Sequence, residues 1–240
     1  MRDDHFVSVC LASYNGEKFI IDQIASILNS LEYAGVDDFE LIVSDDGSSD
    51  RTVEMVKSFD EPNVRLIKGP GKGLVMNFEH LLSVACGVFV FLSDQDDIWE
   101  EKKVATSIAA LEHADLVVSD AKVVDENLNT ISESFFEHRL SGPGVIKNLY
   151  KNSFLGCCMC FKRKAMLEYG CLPFPRGLPM HDWWVGMKFN WLGKVEFIND
   201  RLVLYRRHGN NASPTAERSA SSIKEKVLWR AVLAYNVFLS

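Results

Sequence analysis

The chain has 240 residues, of which 47% are hydrophobic and 25% are charged, as in an average soluble globular protein. This composition excludes a disordered chain, which lacks the apolar surface needed to offset the entropy lost on ordering. The formal net charge of −7 argues against general binding to nucleic acid, which depends on a surplus of Lys and Arg, so we expect no nucleic-acid partner.

The first 120 residues alternate between short apolar runs typical of strands and longer stretches with helical periodicity. Repeated strand-then-helix units predict an α/β fold with a mostly parallel sheet, helices on both faces and right-handed crossovers. The predicted strands are 6–11, 39–44, 64–68, 88–92 and 115–119, and the predicted helices are 17–31, a segment that follows Asp50, 75–85 and 100–111.

The pattern changes after residue 120, where we predict a strand at 154–161, a helix at 180–192, two short strands at 195–198 and 202–205, a polar loop at 206–213 and a last helix at about 223–239. The last helix mixes Lys224, Lys226 and Arg230 with Trp and Phe, a composition that suits an anionic membrane surface. Packing of this helix on the core or in a homodimer is the alternative.

The cysteine pattern and the hydropathy favour a cytoplasmic protein. None of the six cysteines forms the C-x-x-C spacing of a zinc site, so we expect reduced thiols packed as small apolar residues. No secretory signal is visible, and no apolar run is long enough to span a bilayer. We therefore expect cytoplasmic localisation, at most peripheral at the inner face of the plasma membrane.

Polar clusters follow three of the predicted strands. In such sheets ligands bind beyond the carboxyl ends of the strands, where the connecting loops gather. We therefore expect one site built from three loops, which are Ser13-Tyr14-Asn15-Gly16, Asp45-Asp46-Gly47-Ser48 and Ser93-Asp94-Gln95-Asp96-Asp97.

The acidic loop places Asp94, Asp96 and Asp97 next to an apolar strand end. Their mutual repulsion would be relieved by a divalent cation, and hard cations prefer carboxylate oxygens. A solvated acidic turn is the alternative.

The two other loops suggest a nucleotide: Tyr14 offers an aromatic face to a base, and Asp45 could accept a hydrogen bond from the N3–H of a pyrimidine. Their alternatives are ordinary turns, with the Asp-Gly pair and the following Ser and Asp side chains capping a helix.

Two further clusters occur in the second half. Asp182, beside two tryptophans, could be a general base in a pocket with an aromatic wall, or an acidic residue stabilised by a helix dipole. Arg206, Arg207 and His208 could counter a diphosphate, with His208 as a neutral metal ligand, or form a solvated basic turn. Glycine fingerprints argue against other nucleotide sites, because neither G-x-G-x-x-G nor G-x-x-x-x-G-K-[ST] is present.

The clusters occur in the order found in one known family. The sequence resembles inverting glycosyltransferases of family 2 with the GT-A fold, and within them a rhamnosyltransferase-like branch that builds bacterial surface polysaccharides. The stretches that carry the resemblance are 7–16 (VSVCLASYNG), 41–52 (LIVSDDGSSDRT), 73–78 (GLVMNF), 91–99 (FLSDQDDIW), 181–184 (HDWW) and 205–211 (YRRHGNN).

The resemblance implies a role for each matched position. Asp182 matches the catalytic base, whereas His181 departs from the Glu that many relatives carry before it. Asp96 and His208 match metal positions, with Mn²⁺ or Mg²⁺ as the expected ion. The nucleotide positions are Ala12, Tyr14, Glu17, Asp45 and Asp94, and the positions for the donor sugar or acceptor are Asp97, Trp183, Trp184, Arg206 and Arg207.

The resemblance also implies partners and a domain layout. The donor would be a UDP- or dTDP-linked sugar, and the acceptor a saccharide or lipid-linked saccharide. We expect a GT-A domain at 1–212, with a nucleotide-sugar half at 1–120 and an acceptor half at 121–212, and a helical tail at 213–240. The alternatives are a non-catalytic carbohydrate-binding module, a glycosidase and a nucleotidyltransferase; the last is disfavoured because residues 12–16 contain no Lys or Arg for a triphosphate.

Overall fold

The computed structural model describes residues 7–209 and 222–239. Residue 6 of the first predicted strand, residues 210–213 of the predicted polar loop with Asn210 and Asn211, and most of the segment before the last helix lie outside this described part. The strands are β1 Val7–Ser13, β2 Phe39–Asp45, β3 Val64–Lys68, β4 Phe89–Asp94, β5 Ile98–Trp99, β6 Leu116–Val124, β7 Thr130–Ser132, β8 Met159–Lys162 and β9 Val195–Arg206. The helices are α1 Ile20–Tyr33, α2 Thr52–Lys57, α3 Leu74–Val84, α4 Lys103–Leu111, α5 Phe135–Arg139, α6 Val145–Tyr150, α7 Arg163–Glu168, α8 His181–Leu192 and α9 Ile223–Phe238, with a 3-10 turn at Gly156–Cys158.

The described strands form one sheet in the order β3-β2-β1-β4-β8-β6-β9-β5, with β7 beside β6. Strands β3, β2, β1 and β4 are parallel, and β8 runs antiparallel to both β4 and β6. Because β6 is parallel to β9, six strands share one direction and only β5, β7 and β8 oppose it. The prediction of an α/β fold with a mostly parallel sheet is confirmed.

Strand β1 sits between β2 and β4, and this register assembles the site. Ser13 is the partner of Asp45 on β2, and Ala12 is the partner of Asp94 on β4. All seven residues of β1 are buried, which explains its continuous run of apolar and small residues. The loops after three strands therefore leave the sheet at one edge, as the sequence predicts.

The helices form two groups that cover the sheet. Helix α1 contacts α2 and α4, whereas α3, α6, α7 and α9 each contact α8. In α1, the buried residues Ile20, Ile24, Ile27 and Leu31 recur at helical spacing, so one face packs on the core. The core is continuous between the two halves of the chain.

The second half departs from the prediction in several places. Residues 156–158 of the predicted strand 154–161 form the 3-10 turn, and only Met159–Lys162 pairs as β8. The two predicted strands at 195–198 and 202–205 are one strand, because β9 continues through a register shift opposite Asp120. The short elements β5, β7, α5, α6 and α7 are not predicted, since two to six residues carry no clear periodicity.

Helix α9 packs against α6 and α8 within the same chain. Leu233 and Val237 are buried there, Phe238 meets Trp191 with ring centroids 4.8 Å apart, and the Arg230 guanidinium donates to the Tyr150 carbonyl at 2.6 Å. Part of this helix therefore packs on the core, which was the alternative to binding at a membrane surface. None of the described helices combines the length and apolarity required to cross a bilayer.

Candidate active site

A cavity of about 510 Å³ opens at the carboxyl edge of β1 and β4. Its walls come from the loops after β1 and β2, the glycine loop before α3, the acidic loop, the 3-10 turn and the first residues of α8. The structure thus brings together segments from residue 12 to residue 205. The predicted site residues in its lining are Ala12, Tyr14, Asp94, Asp96 and Asp182.

Tyr14 stands at the mouth of the cavity with 58% of its surface exposed. Its backbone is fixed by Gln95, whose side-chain amide accepts from the Tyr14 N–H at 2.8 Å and donates to the Tyr14 carbonyl at 2.9 Å. The same side chain packs so closely on Gly16 that any Cβ there would collide with it. The acidic loop therefore clamps the loop after β1, and the aromatic face of Tyr14 stays free.

Asp45 closes its own turn. Its carboxylate accepts hydrogen bonds from Gly47 N at 3.2 Å, from Ser48 N at 2.9 Å and from the hydroxyls of Ser13 and Ser48. These four bonds match the lone-pair sites of a carboxylate, and Asp45 is outside the cavity lining. A nucleobase would have to displace one of these bonds, so the contact of Asp45 with a pyrimidine base stays a prediction.

The neighbouring residue Asp46 shapes the cavity instead. Its carboxylate accepts from Gly71 N and Gly73 N, each at 2.7 Å, and all three residues line the cavity. Both glycines have positive φ, at 67° and 87°, a backbone conformation that side chains disfavour. This role of Asp46 is not among the predictions from the sequence, although the glycine-rich segment at 69–73 is visible there.

The three carboxylates of the acidic loop have different surroundings. Asp94 lines the cavity, and burial, followed by the charges of Asp96 and Asp182, raises its pKa to about 8. Asp96 also lines the cavity and lies 2.8 Å from Nε2 of His208.

Asp97 is completely buried and outside the lining. It accepts from Arg206 N at 2.9 Å, and the Cys157 sulfur lies within 4.8 Å of its carboxylate. Burial and the charges of Asp96 and Asp94 hold its pKa well above the usual range. The predicted contact of Asp97 with a sugar is therefore corrected: it ties the end of β9 to the acidic loop.

These residues form a donor set that fits a divalent cation. Asp94 and Asp97 are held near like charges that raise both their pKa values, so the site has an excess of negative charge that a cation would relieve. Asp96 and His208 add a carboxylate and an imidazole within contact distance. Carboxylate oxygens suit Mn²⁺ or Mg²⁺.

Asp182 forms the opposite wall, in the first turn of α8, where only 6% of its surface is exposed. Burial raises its pKa to about 7, against the opposing effects of hydrogen bonds from the N–H groups of Trp183 and Gly156 and of the Arg139 charge. A carboxyl group with a pKa near neutrality can exchange a proton with substrate under working conditions.

Trp183 and Trp184 do not line the cavity, and their predicted contact with a sugar is corrected. Trp184 is 2% exposed and donates its indole N–H to the Cys171 carbonyl at 2.8 Å, while Trp183 donates to the Asn148 carbonyl at 2.7 Å. Both rings belong to the core and anchor α8. The aromatic residues at the cavity are Tyr14 and Tyr205 instead.

His181 is a buried residue of the lining. Its ring stacks on Phe78 with centroids 3.7 Å apart and planes at 18°. Burial lowers its pKa to about 3, so the imidazole is neutral, and neither ring nitrogen has a hydrogen-bond partner among the described residues. It therefore adds no charge beside Asp182.

The remaining predicted residues lie behind the cavity wall. His208 stacks on Phe19 with centroids 4.9 Å apart, and the Arg206 guanidinium lies 4.6 Å from the same ring and donates to the Glu126 carbonyl at 3.0 Å. Arg207 lies over Tyr205, with 5.8 Å from the guanidinium carbon to the ring centroid. None of these three, nor Glu17, lines the cavity. The carboxylate of Glu17 accepts from Arg51 N at 3.1 Å beside α2, and its contact with the nucleoside stays a prediction.

Asn77 is a further residue of the cavity lining that is not among the predicted site residues. Its side chain accepts from the Ser44 hydroxyl at 2.6 Å and donates to the Ser44 carbonyl at 2.8 Å. It thereby fixes α3 to the end of β2, and it lines the cavity. An Asn on an otherwise apolar helix face was the signal in the sequence.

Comparison with known proteins gives a consistent result. The sequence profile of the family described as Glycosyl transferase family 2 matches residues 8–170. The chain is 28% identical over 191 residues to UDP-Glc:alpha-D-GlcNAc-diphosphoundecaprenol beta-1,3-glucosyltransferase WfgD of Escherichia coli, covering 78% of this chain and 72% of that protein. It is 26% identical over 233 residues to dTDP-rhamnosyl transferase RfbG of Shigella flexneri, covering 84% and 72%.

Solved structures share the fold. Residues 1-349 of TarS from S. aureus, in a crystal structure with UDP-GlcNAc, superpose with a TM-score of 0.73 at 21% identity, covering 98% of this chain and 68% of that one. The mannosyltransferase PcManGT from Pyrobaculum calidifontis, in complex with GDP-Man and Mn²⁺, superposes with a TM-score of 0.61 at 15% identity, covering 96% and 69%.

Proposed function

Because the chain belongs to glycosyl transferase family 2 and is a glycosyltransferase with the GT-A fold, we propose that it moves a sugar from a nucleoside-diphosphate donor to an acceptor hydroxyl with inversion, in surface polysaccharide synthesis. The observation that carries this proposal is the pair of acidic walls in one cavity. Asp94, Asp96 and Asp182 all line this cavity. We assign Asp94 and Asp96 to the donor diphosphate and Asp182 to the acceptor.

The nucleotide binds at the β1 side of the cavity. The exposed ring of Tyr14 stacks on the base, and Ala12, with Asp94 beside it in the sheet, lies near the ribose. The donor is a UDP- or dTDP-linked sugar, since one relative of this chain is named for UDP-Glc and another is named a dTDP-rhamnosyl transferase. Asp45 and Asp46 belong to this side, with Asp46 fixing the glycine loop.

Asp96 and His208, with Asp94, would hold Mn²⁺ or Mg²⁺, in agreement with the excess negative charge of the acidic loop. A bound cation would neutralise charge that builds up on the diphosphate as it leaves. Arg206 and Arg207 are too deeply engaged with Phe19, Glu126 and Tyr205 to be assigned a direct contact with the donor.

Asp182 acts as the general base. Its carboxylate takes the proton of the acceptor hydroxyl as the hydroxyl oxygen bonds to the anomeric carbon, and the bond from that carbon to the diphosphate oxygen breaks. A single displacement from the opposite face inverts the anomeric centre, so one base is sufficient, in contrast to glycosidases with two carboxyl groups. The hydrogen bonds from Trp183 N and Gly156 N orient this carboxylate.

The acceptor is a saccharide or a lipid-linked saccharide that reaches the site from the half formed by residues 121–212.

A lipid-linked acceptor would lie in a membrane, and α9 has a surface suited to contact it. Ile223, Val227, Leu228 and Leu239 are each at least 60% exposed, and Lys224 is exposed beside them. Vesicles with anionic lipid should sediment the protein, and Lys224→Glu should weaken this more than Lys57→Glu, an exposed control on α2. Equal sedimentation of both variants would contradict the membrane contact.

The direct test is a screen of nucleoside-diphosphate sugars with Mn²⁺ by thermal shift, followed by transfer assays with Asp182→Asn. A bound donor raises the apparent melting temperature by mass action, so the correct donor should stand out. Asp182→Asn should keep the donor-induced shift and lose transfer by roughly 100-fold to 10,000-fold. Near-normal transfer by this variant would contradict the assignment of the base.

A further inference from the structure

The 3-10 turn Gly156–Cys158 lies directly behind both acidic walls of the cavity. The N–H of Gly156 donates to the Asp182 carboxylate, and the thiol sulfur of Cys157 lies within 4.8 Å of a carboxylate oxygen of Asp97. Gly156 itself lines the cavity, whereas Cys157 is completely buried. One short turn therefore contacts the proposed base and the acidic loop at once.

A buried lysine holds this turn from the other side. Lys103, the first residue of α4, has no exposed surface, and its ammonium donates to the Cys157 carbonyl at 3.0 Å. The same ammonium lies 4.8 Å from the centroid of the Trp99 ring. Lys103 does not line the cavity, so it contacts neither donor nor acceptor there.

The burial of an ammonium group at this position costs free energy that an apolar side chain of the same size would not. Desolvation of a charge costs much more than burial of a Met side chain of similar length, and substitution of buried charges by apolar residues is often neutral or stabilising. Packing alone therefore does not account for Lys103. The hydrogen bond from Lys103 to the Cys157 carbonyl, in the turn behind the site, gives the buried ammonium a role.

We propose that Lys103 is a positioning residue for sugar transfer, which holds the 3-10 turn so that the Gly156 N–H orients Asp182 and Cys157 stays packed beside Asp97. This proposal rests on the proposed function of Asp182. The turn has little freedom to compensate for the loss of the lysine, because a Cβ on Gly156 would lie 2.9 Å from Nε2 of His181, the residue before Asp182. A displacement of the turn is therefore transmitted to the start of α8.

The variant Lys103→Met tests the proposal, because it keeps the length of the side chain and removes the ammonium. We expect kcat to fall by roughly 10-fold to 100-fold, since a misplacement of about 1 Å can cost on the order of 100-fold. The donor KM and the melting temperature should change little, since the lysine touches no substrate. The matched control is Lys102→Met, which removes an exposed lysine one residue earlier and should leave kcat unchanged. A folded Lys103→Met protein with the kcat of the original chain would overturn the proposal.

Hydrogen exchange gives a readout that does not depend on activity. In Lys103→Met, the amides of Gly156 and Cys158 should exchange faster than in Lys102→Met, because the turn loses its anchor. Unchanged exchange would overturn the proposal even if no donor is found, whereas faster exchange in a protein that transfers no sugar would count against the proposed function alone. If Lys103→Met does not fold, Lys103→Leu removes the ammonium with a smaller apolar side chain. Full kcat in Lys103→Leu together with unchanged exchange would then overturn the proposal, and a reduced kcat with faster exchange would support it.

Discussion

Nε2 of His208 lies 2.8 Å from a carboxylate oxygen of Asp96, although 112 positions separate the two residues in the sequence. The contact joins the end of β9 to the acidic loop after β4. Phe19, which precedes α1, stacks on the His208 ring and limits its orientation. Three distant segments thus converge beside the cavity, and the proposed cation site depends on all three.

Removal of the Asp96 carboxylate should abolish metal-dependent donor binding. In Asp96→Asn the negative charge available to a cation falls, and His208 loses its charged partner. Thermal shift with a nucleoside diphosphate should show stabilisation by Mn²⁺ in the original chain and little in this variant. Glu112→Gln, an exposed residue on the far end of α4, is the control with the same charge change. Equal Mn²⁺ dependence in Asp96→Asn and the control would contradict the metal role.

The rate of transfer should rise with pH through the neutral range. The pKa of Asp182 is raised to about 7, and the residue accepts a proton only when ionised. The kcat should therefore decrease below pH 7 by about 10-fold per pH unit in the limiting range. His181, with a pKa lowered to about 3, should add no second step between pH 5 and pH 9. A profile that is flat from pH 5 to pH 8 would contradict Asp182 as the base.

Asp182→Asn should be more stable than the original chain in alkaline buffer. Because burial raises the pKa of Asp182 in the folded state, folding favours the neutral form, and this stability is lost as the pH rises through about 7. At pH 8, without metal or donor, the neutral Asn should gain stability on the order of a few kcal/mol. The gain should shrink towards pH 5.

Urea unfolding at the two pH values measures this difference. The exposed Asp200→Asn serves as the control, and we expect its stability to follow that of the original chain. A variant at position 182 that is less stable than the original chain at pH 8 would show that the ionised carboxylate is not strained there.

The amide clamp between Gln95 and Tyr14 should set the affinity for the donor. Gln95→Ala removes both hydrogen bonds to the Tyr14 backbone, so the loop after β1 loses its fixed position. We expect the donor KM to rise by about 10-fold, with kcat changed much less. Tyr14→Phe keeps the aromatic face and should behave like the original chain, while Tyr14→Ala should resemble Gln95→Ala. A loss confined to kcat would place the clamp on the chemical step instead.

The sequence predicted the location of the site better than the role of each residue. Alternating strands and helices were enough to place the loops after β1, β2 and β4 together, since the order of a doubly wound sheet follows from its connections. Asp94, Asp96 and Asp182 accordingly share a cavity. Whether each of them performs its proposed role is a question for the experiments above.

The individual roles depend on partners that sequence does not reveal. Asp94 and Asp97 are three positions apart and chemically identical, yet one lines the cavity and the other accepts from Arg206 N. The two tryptophans after Asp182 turn into the core because the carbonyls of Asn148 and Cys171 accept their indole N–H groups. From the sequence, Lys103 would be placed on the exposed face of a helix. In the structure it is buried, and its ammonium donates to the Cys157 carbonyl.

Determination of product stereochemistry tests the central claim most directly. The protein would be incubated with the donor found by thermal shift, Mn²⁺ and a saccharide acceptor, and the product examined by NMR for the configuration of the new glycosidic bond. The account predicts release of the nucleoside diphosphate together with a glycoside whose anomeric configuration is opposite to that of the donor. A product that retains the donor configuration would contradict the single displacement with Asp182 as base.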